Sequence, residues 1–436
     1  MTRGPLRTFL RCSSTASSGL KSYVDIAAQQ KLYMIDKSTP GSVFFLPHGA
    51  RLFDRLVSFM RDHQHRFGFE HVITPLIYKS ELWKTSGHWQ HYRRDMFHVS
   101  GEEHGHAHSE ENDSHDFSLK PMNCPGHCVM FGQYERSFRE LPVRYSDFSP
   151  LHRNEASGAL TGLTRVRKFH QDDGHIFCEH SQIEQEIGNC LKLIDSVYTT
   201  FDLSNYKLTL STRPEEYAGD LPAWEQAEAD LRQVLEATGK PWTINEGDGA
   251  FYGPKIDVLV TDFNGKEHQT ATIQLDFQLP KSFDLKYASS GSVHGETKTP
   301  VLIHRAVYGS LERFMAMLID HYQGKWPFWL NPRQAVVIPV AARHFDYAKQ
   351  VEAFLTGRDS ESNANRFHAE LAAQDETVGV RIRRAIEEGA SYIIMVGDRE
   401  IEQNTVTIRT RDSRKTESVT LQELASLFNQ LIADKN

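Results

Sequence analysis

Between residues 23 and 330 the apolar positions switch repeatedly between helical and strand spacing. Leu52, Leu56, Phe59 and Met60 recur at three- and four-residue intervals, which predicts a helix over residues 52–67 stopped by Gly68. Residues 69–78 are rich in strand formers but contain Pro75, which favours a sheet edge or an interface over a central strand. Residues 227–238 have helical spacing and end at Gly239 and Pro241. Two alternating runs, 255–261 and 269–277, flank Asn264-Gly265, the signature of a β-hairpin in an antiparallel sheet.

The pattern changes near residues 326–332, where Pro327, Asn331 and Pro332 interrupt an aromatic-rich stretch. Beyond it, strand-like 335–340, 366–371, 392–396 and 405–409 alternate with helical 347–355, 378–388 (ended by Gly389) and a last helix from Leu421. Such alternation predicts a compact α/β domain of about a hundred residues. A length of 436 residues likewise suggests two or three domains. No apolar run approaches the ~20 residues that span a bilayer, so no membrane segment is expected.

Charge changes this picture only locally. The net charge is −8, but residues 101–116 (GEEHGHAHSEENDSHD) hold six acidic residues and no Lys or Arg, leaving −8 + 6 = −2 elsewhere. An RNA partner needs local basic faces and not a basic total, so the sum excludes nothing. His104, His106, His108 and His115 in that segment have metal-binding side chains, yet nothing apolar surrounds them to hold imidazoles rigidly, which favours a solvated loop. The five cysteines are odd in number and form no C-x-x-C pair, a pattern of individual thiols in a reducing compartment. Arg3, Arg7 and Arg11 precede a Ser-rich stretch, and no acidic residue occurs before Asp25. That composition predicts a mitochondrial presequence over residues 1–22 and residence in the mitochondrial matrix; a disordered tail has the same look.

Candidate chemistry clusters in two patches. His152-Arg153-Asn154-Glu155 is followed by Arg165-Val166-Arg167-Lys168-Phe169. Guanidinium forks match phosphate oxygens, and a nearby carboxylate can accept from an exocyclic amine. Alone, this reads far better as a surface ion pair. The second patch, Tyr308-Gly309-Ser310-Leu311-Glu312-Arg313, sets small residues before an arginine, so that Phe169 and Arg313 could bracket a purine by stacking and cation–π contact.

These segments resemble the class II aminoacyl-tRNA synthetases: HRNE through FHQDD resembles their motif 2, GSLERF motif 3, and FEHVITPLI (residues 69–77) motif 1, whose proline sits at a dimer interface. KPMNCPGH (120–127), QDDGHIF (171–177), AFYGPKID (250–257) and IHRAVYGSLERF (303–314) are similar to the threonyl-tRNA synthetases, a resemblance running from Gly41 to the C-terminus. It implies an α+β fold: a class II antiparallel sheet flanked by helices over residues 23–330, carrying 101–116 as an insertion, then a smaller α/β anticodon-binding domain over 331–436. It also implies a homodimer that joins threonine to tRNA(Thr) with ATP.

By motif position, the resemblance places Arg153 on the α-phosphate, Glu155 on the adenine amine, Phe169 and Arg313 about the ring, and Arg165 near the outer phosphates. Lys255 is a further phosphate candidate and Gln274 a further ATP contact, and Mg2+ accompanies ATP. Cys124, His175 and His304 fall at the family's zinc positions, which implies one Zn2+ per subunit. Spacing alone says nothing about them. Gln171, Asp173, Tyr252 and Gln269 would line the threonine pocket. The match starts at the catalytic domain, so no editing domain is expected and serine becomes the expected charging error. A histidine that bacterial relatives place in the loop GSVFFLPH (41–48) aligns with Leu46, so no proton acceptor is assigned there.

Overall fold

The computed structural model describes residues 21–99, 117–261, 265, 267–289, 296–359, 361, 364–373 and 375–435. The expected presequence (except residues 21–22), the acidic His-rich segment and Asn264 of the hairpin turn lie outside the described residues.

An eight-stranded sheet dominates the part before residue 330. In spatial order its strands are Trp242–Asn245, Tyr206–Ser211, Lys255–Thr261, Glu267–Asp276, Val301–Ala306, Asp173–Cys178, Val143–Asp147 and Glu70–His71. Only the two outermost pairings are parallel. The hairpin is present, with Gly265 at φ +79. Glu70–His71 is one of the two edge strands, consistent with Pro75 shortly after it.

Alternation along the central strands separates two faces. Ile176, Ile273, Leu275 and Ile303 pack into the main core together with Ile187, Leu191 and Ile194 of the helix Ile183–Thr200, and Phe314 and Leu318 of the helix Leu311–Tyr322. The opposite face carries Phe177 and Leu302, covered by Cys128 and Phe131 of the short helix Cys124–Gly132. The Phe131 and Phe177 rings stack with centroids 4.5 Å apart.

The helix predicted over 52–67 begins earlier, as Pro47–Arg66. Leu46 is extended and Pro47 occupies the first turn, where a missing N–H costs nothing, so the start lies before the apolar periodicity. The helix Leu221–Ala237 is longer than predicted for the same reason, with Asp220 capping Ala223 N at 3.0 Å and a proline in its first turn.

The second sheet has five strands in the order Ala369–Leu371, Ala335–Pro339, Tyr392–Val396, Thr405–Thr410 and Glu417–Thr420. The first three run parallel, and the last two add antiparallel pairs. Glu417–Thr420 and the helix Asp398–Gln403 carry no clear apolar pattern, being mostly exposed, and were not predicted.

A charged junction joins the two parts. Glu370 accepts from Arg333 Nε at 2.9 Å and Arg51 Nη1 at 3.2 Å, and lies 2.9 Å from His48 Nε2. Across the same junction Gln29 Nε2 donates to Glu387 O at 2.7 Å and Lys31 pairs with Glu388 at 3.1 Å, while Arg333 reaches Glu388 at 2.8 Å from its own side. His48, two residues past the expected base position, is therefore committed to this junction. Burial and the Arg333 charge, with Arg51 adding to them, push its pKa down to about 4 against the pull of Glu370 and Glu388; His368 beside it is lowered similarly, by burial, Arg51, Arg55 and His48. A lowered imidazole pKa means that the unfolded chain takes up the proton first, so the junction's stabilising contribution is lost as pH falls from roughly 6.5 through about 4. Urea unfolding of wild type and His48→Gln at about pH 7 and about pH 4.5 checks this. The stability advantage of wild type over the variant is expected to shrink at the lower pH.

Candidate active site and metal centre

Register builds the centre of the site. His175 pairs across the sheet with Tyr145 on one side and His304 on the other, and His304 pairs with Gln274, which pairs with Lys255. Directly opposed residues share a face, so these five side chains form one polar row on the face away from the main core. Cys124 is the first residue of the helix laid on that face, and Cys128 and Phe131 anchor it there.

The outcome is one cluster of ligand atoms. Cys124, His175 and His304 place sulfur and ring nitrogens within 4.8 Å of one another, all three residues buried, the only such group among the described residues. His175 Nε2 and His304 Nδ1 are 3.0 Å apart. Tetrahedral zinc with Zn–N of about 2.0–2.1 Å and Zn–S of about 2.3 Å sets its ligand atoms roughly 3.3–3.6 Å apart, so a thiol and two imidazoles here fit that ion with one position left open. The outward nitrogens are also engaged: His304 Nε2 lies 2.8 Å from Asp276 Oδ2, and His175 Nδ1 lies 2.8 Å from His127 Nδ1. Burial raises the Cys124 thiol well above its ordinary pKa and, with His127 and His304 close by, lowers His175 well below its own. Sequence reading missed His127, Asp276 and Asn123. His127 follows Cys124 by three residues, the helical spacing that puts two side chains on one face, and that signal was available.

Around the cluster, Asp173 is half-buried and accepts from Asn123 Nδ2 at 2.8 Å; desolvation raises its pKa. Tyr252 donates a short hydrogen bond to Gln274, and its ring lies 5.2 Å from that of His304. Gln269 donates instead to Asp257 at 2.6 Å, past a bulge and five residues along the strand from Gln274. Five residues of strand are roughly 17 Å. Register thus puts Gln274, and not Gln269, directly opposite His304. Lys255 is held by Asp257 at 3.0 Å and Asp248 at 3.1 Å, so two carboxylates already balance its charge. Gln171 bridges to Ser310, just before the helix that bears Arg313.

The arginine patch forms beside this row. Arg153 lies over the Phe169 ring at 5.0 Å, and Arg165 Nε pairs with Glu155 at 2.9 Å. Arg313 donates to Thr164 O at 3.1 Å; burial and the neighbouring Arg165 and Arg153 charges lower its pKa. Phe169 itself is buried against Leu151, Val166 and Val43.

The mitochondrial threonine–tRNA ligase of Saccharomyces cerevisiae is 49% identical over 427 residues, covering 93% of this chain and 90% of the relative. The chain belongs to the threonyl-tRNA synthetases. It is accordingly a class II aminoacyl-tRNA synthetase, a threonine–tRNA ligase. The tRNA synthetase class II core domain (G, H, P, S and T) matches residues 106–322, and an anticodon binding domain matches 334–431. The human cytoplasmic threonine–tRNA ligase 1 is 47% identical over 93% of this chain, which spans 53% of its length. A solved Cryptosporidium parvum structure, described as the RNA binding domain of threonyl-tRNA synthetase, superposes with a TM-score of 0.86 at 41% identity, covering 94% of this chain and 98% of that one. The α+β class II architecture is thus established. Threonyl-tRNA synthetases act on threonine, ATP and tRNA, and class II enzymes use Mg2+ with ATP. No described helix is long and apolar enough to cross a membrane.

One buried carboxylate ties the site together. Asp172 accepts from Val307 N and Tyr308 N, each at 2.8 Å, and from Arg305 Nη1 at 3.2 Å. Burial pushes its pKa up to about 7 despite Arg305 and the two backbone donors. Neither side chain of the Asp172–Arg305 pair is exposed. Asp172→Ala would strand the Arg305 guanidinium and is expected to cost about 3–5 kcal/mol of stability, read by urea unfolding.

Proposed function

We propose that Cys124, His175 and His304 hold one Zn2+ per subunit and that this centre selects threonine for the ligase reaction. The convergence of a buried thiol and two imidazoles with an open side supports this reading. Bound zinc would offer a coordination position to the amino group and β-hydroxyl of threonine, which valine cannot use.

The chain's own residues would do the rest. Asp173, oriented by Asn123, would accept from the substrate hydroxyl, with Gln171, Tyr252 and Gln274 near the amino group. Arg153 would leave the face of Phe169 to bind the α-phosphate, where threonine's carboxylate attacks and pyrophosphate departs. Phe169 and Arg313 would bracket adenine, Glu155 would accept from its amine, and Arg165 would meet the outer phosphates together with Mg2+. Gln269 and Lys255 belong to the nucleotide side. These groups act by position and charge, which is how phosphoryl chemistry gains most of its acceleration. The threonyl group then passes to the 3′-terminal ribose hydroxyl of tRNA(Thr).

The finer organisation belongs to the same proposal. Residues 1–22 would be a mitochondrial presequence, 23–330 the catalytic domain and 331–436 the anticodon-binding domain, acting in the mitochondrial matrix. Two fungal relatives at 49% identity bear mitochondrial names, in keeping with that compartment. Subunits would pair through the motif 1 edge, where Ile73 is 80% exposed and Leu76 and Ile77 are exposed beside it.

Metal analysis combined with amino-acid-dependent pyrophosphate exchange tests the centre. Wild type should carry about one zinc per chain and favour threonine over valine by on the order of 10⁴, but over serine by only about 10–200-fold, because serine lacks just a methyl group. Full threonine activation by metal-free Cys124→Ser would refute the centre. Separately, Gln274→Leu should raise KM for threonine more than KM for ATP, with Gln269→Leu showing the reverse. Each shift should be about 10–100-fold, as for a hydrogen bond to a charged group.

A further inference from the structure

We propose that His127 is a positioning residue that locks the ring of His175 as a metal ligand, a role that rests on the zinc reading above. Three observations carry it. First, His127 Nδ1 and His175 Nδ1 are 2.8 Å apart, while His175 Nε2 faces His304 Nδ1 at 3.0 Å. A neutral imidazole has one N–H and one lone pair. If His175 offers its Nε2 lone pair to a cation, its proton sits on Nδ1 and is donated to His127 Nδ1. His127 then carries its own proton on Nε2.

Second, that Nε2 points at a fixed negative charge. Asp147 Oδ2 lies 3.8 Å away, longer than a hydrogen bond but an unscreened contact between two fully buried side chains. Asp147 is held by Thr74 Oγ1 at 2.7 Å, Ser149 N at 2.7 Å and Lys120 Nζ at 3.8 Å. Reversing the order of protons would turn a ring lone pair toward this carboxylate, so the arrangement has one favoured direction.

Third, the other imidazole is held in the same way. His304 Nε2 meets Asp276 Oδ2 at 2.8 Å, and Asp276 Oδ1 is occupied by Gln278 N and Leu279 N. Both ring protons are thus directed outward and both lone pairs inward, toward each other and Cys124. Two facing lone pairs repel unless a cation lies between them. His127 is not itself a ligand, because its Nδ1 is spent on His175 and its Nε2 faces Asp147. It has no solvent exposure, and its ring lies edge-on to Tyr145 at 5.8 Å.

A merely space-filling histidine would look similar, so the test separates the two. His127→Phe keeps the ring and removes the acceptor, whereas His127→Asn returns an acceptor near the Nδ1 position. Zinc affinity is measured on the full chain by competition with a chelator, and the ligand field by absorption of the Co2+-substituted protein. His127→Phe is expected to bind zinc about 10–100-fold more weakly, as for other partners of ligand histidines, and to change the Co2+ spectrum. His127→Asn should restore most of both, and ATP binding should be unchanged in either variant. Wild-type affinity in His127→Phe overturns the proposal. So does equal weakening in both variants accompanied by a lowered melting temperature, which would assign His127 to packing. If wild type itself holds no Cys124-dependent zinc, the zinc reading fails first, and this inference falls with it.

Discussion

The register between Asp173–Cys178 and Val301–Ala306 is the constraint on which the site depends, since it sets His175 directly opposite His304. Strand side chains alternate between faces, so a one-residue slip would send either imidazole into the main core and bring an isoleucine in its place. The isoleucines prevent that slip. Ile176 and Ile303 are completely or almost completely buried, and moving them to the polar face would forfeit apolar burial worth about 1.5–3 kcal/mol each. The core thereby specifies the chemistry on the other side of the sheet.

The helix Cys124–Gly132 depends on the same sheet. Its Cys128 and Phe131 pack on Phe177 and Leu302, and this contact delivers Cys124 and His127 to the histidines. Neither side chain needs a long-range interaction of its own to arrive there. The polar row continues through Gln274 to Lys255, so the proposed amino-acid pocket and nucleotide patch are successive positions across one set of strands.

Much of this was legible in the sequence where signals are local. The helix ending at Gly68, the hairpin at Gly265 and the change of pattern near Pro332 all follow from spacing and breakers. Helix starts were misplaced where a proline and an extended cap precede the apolar rhythm, as at Pro47 and Leu221. Cys124, His175 and His304 were visible only through the motifs that contain them, because their convergence is a property of register between distant strands. Which of Gln269 and Gln274 stands opposite His304 was not legible, since register past a bulge leaves no trace in residue type. Asp276 and Asn123 were overlooked because a polar residue inside a motif does not announce which ring or carboxylate it will hold.

Asp172 has a consequence for catalysis. Its neighbour Asp173 accepts from Asn123 beside the Cys124, His175 and His304 cluster, while the backbone it grips at Val307 and Tyr308 leads directly into the helix carrying Arg313. A single buried carboxylate therefore couples the frames of the proposed amino-acid pocket and the proposed nucleotide patch, so that neither can drift without the other. In the proposed reaction the relative placement of the attacking and attacked atoms would in that sense be preorganised: it would be set during folding, and the entropy of bringing two reactants into alignment would be largely met before either arrives.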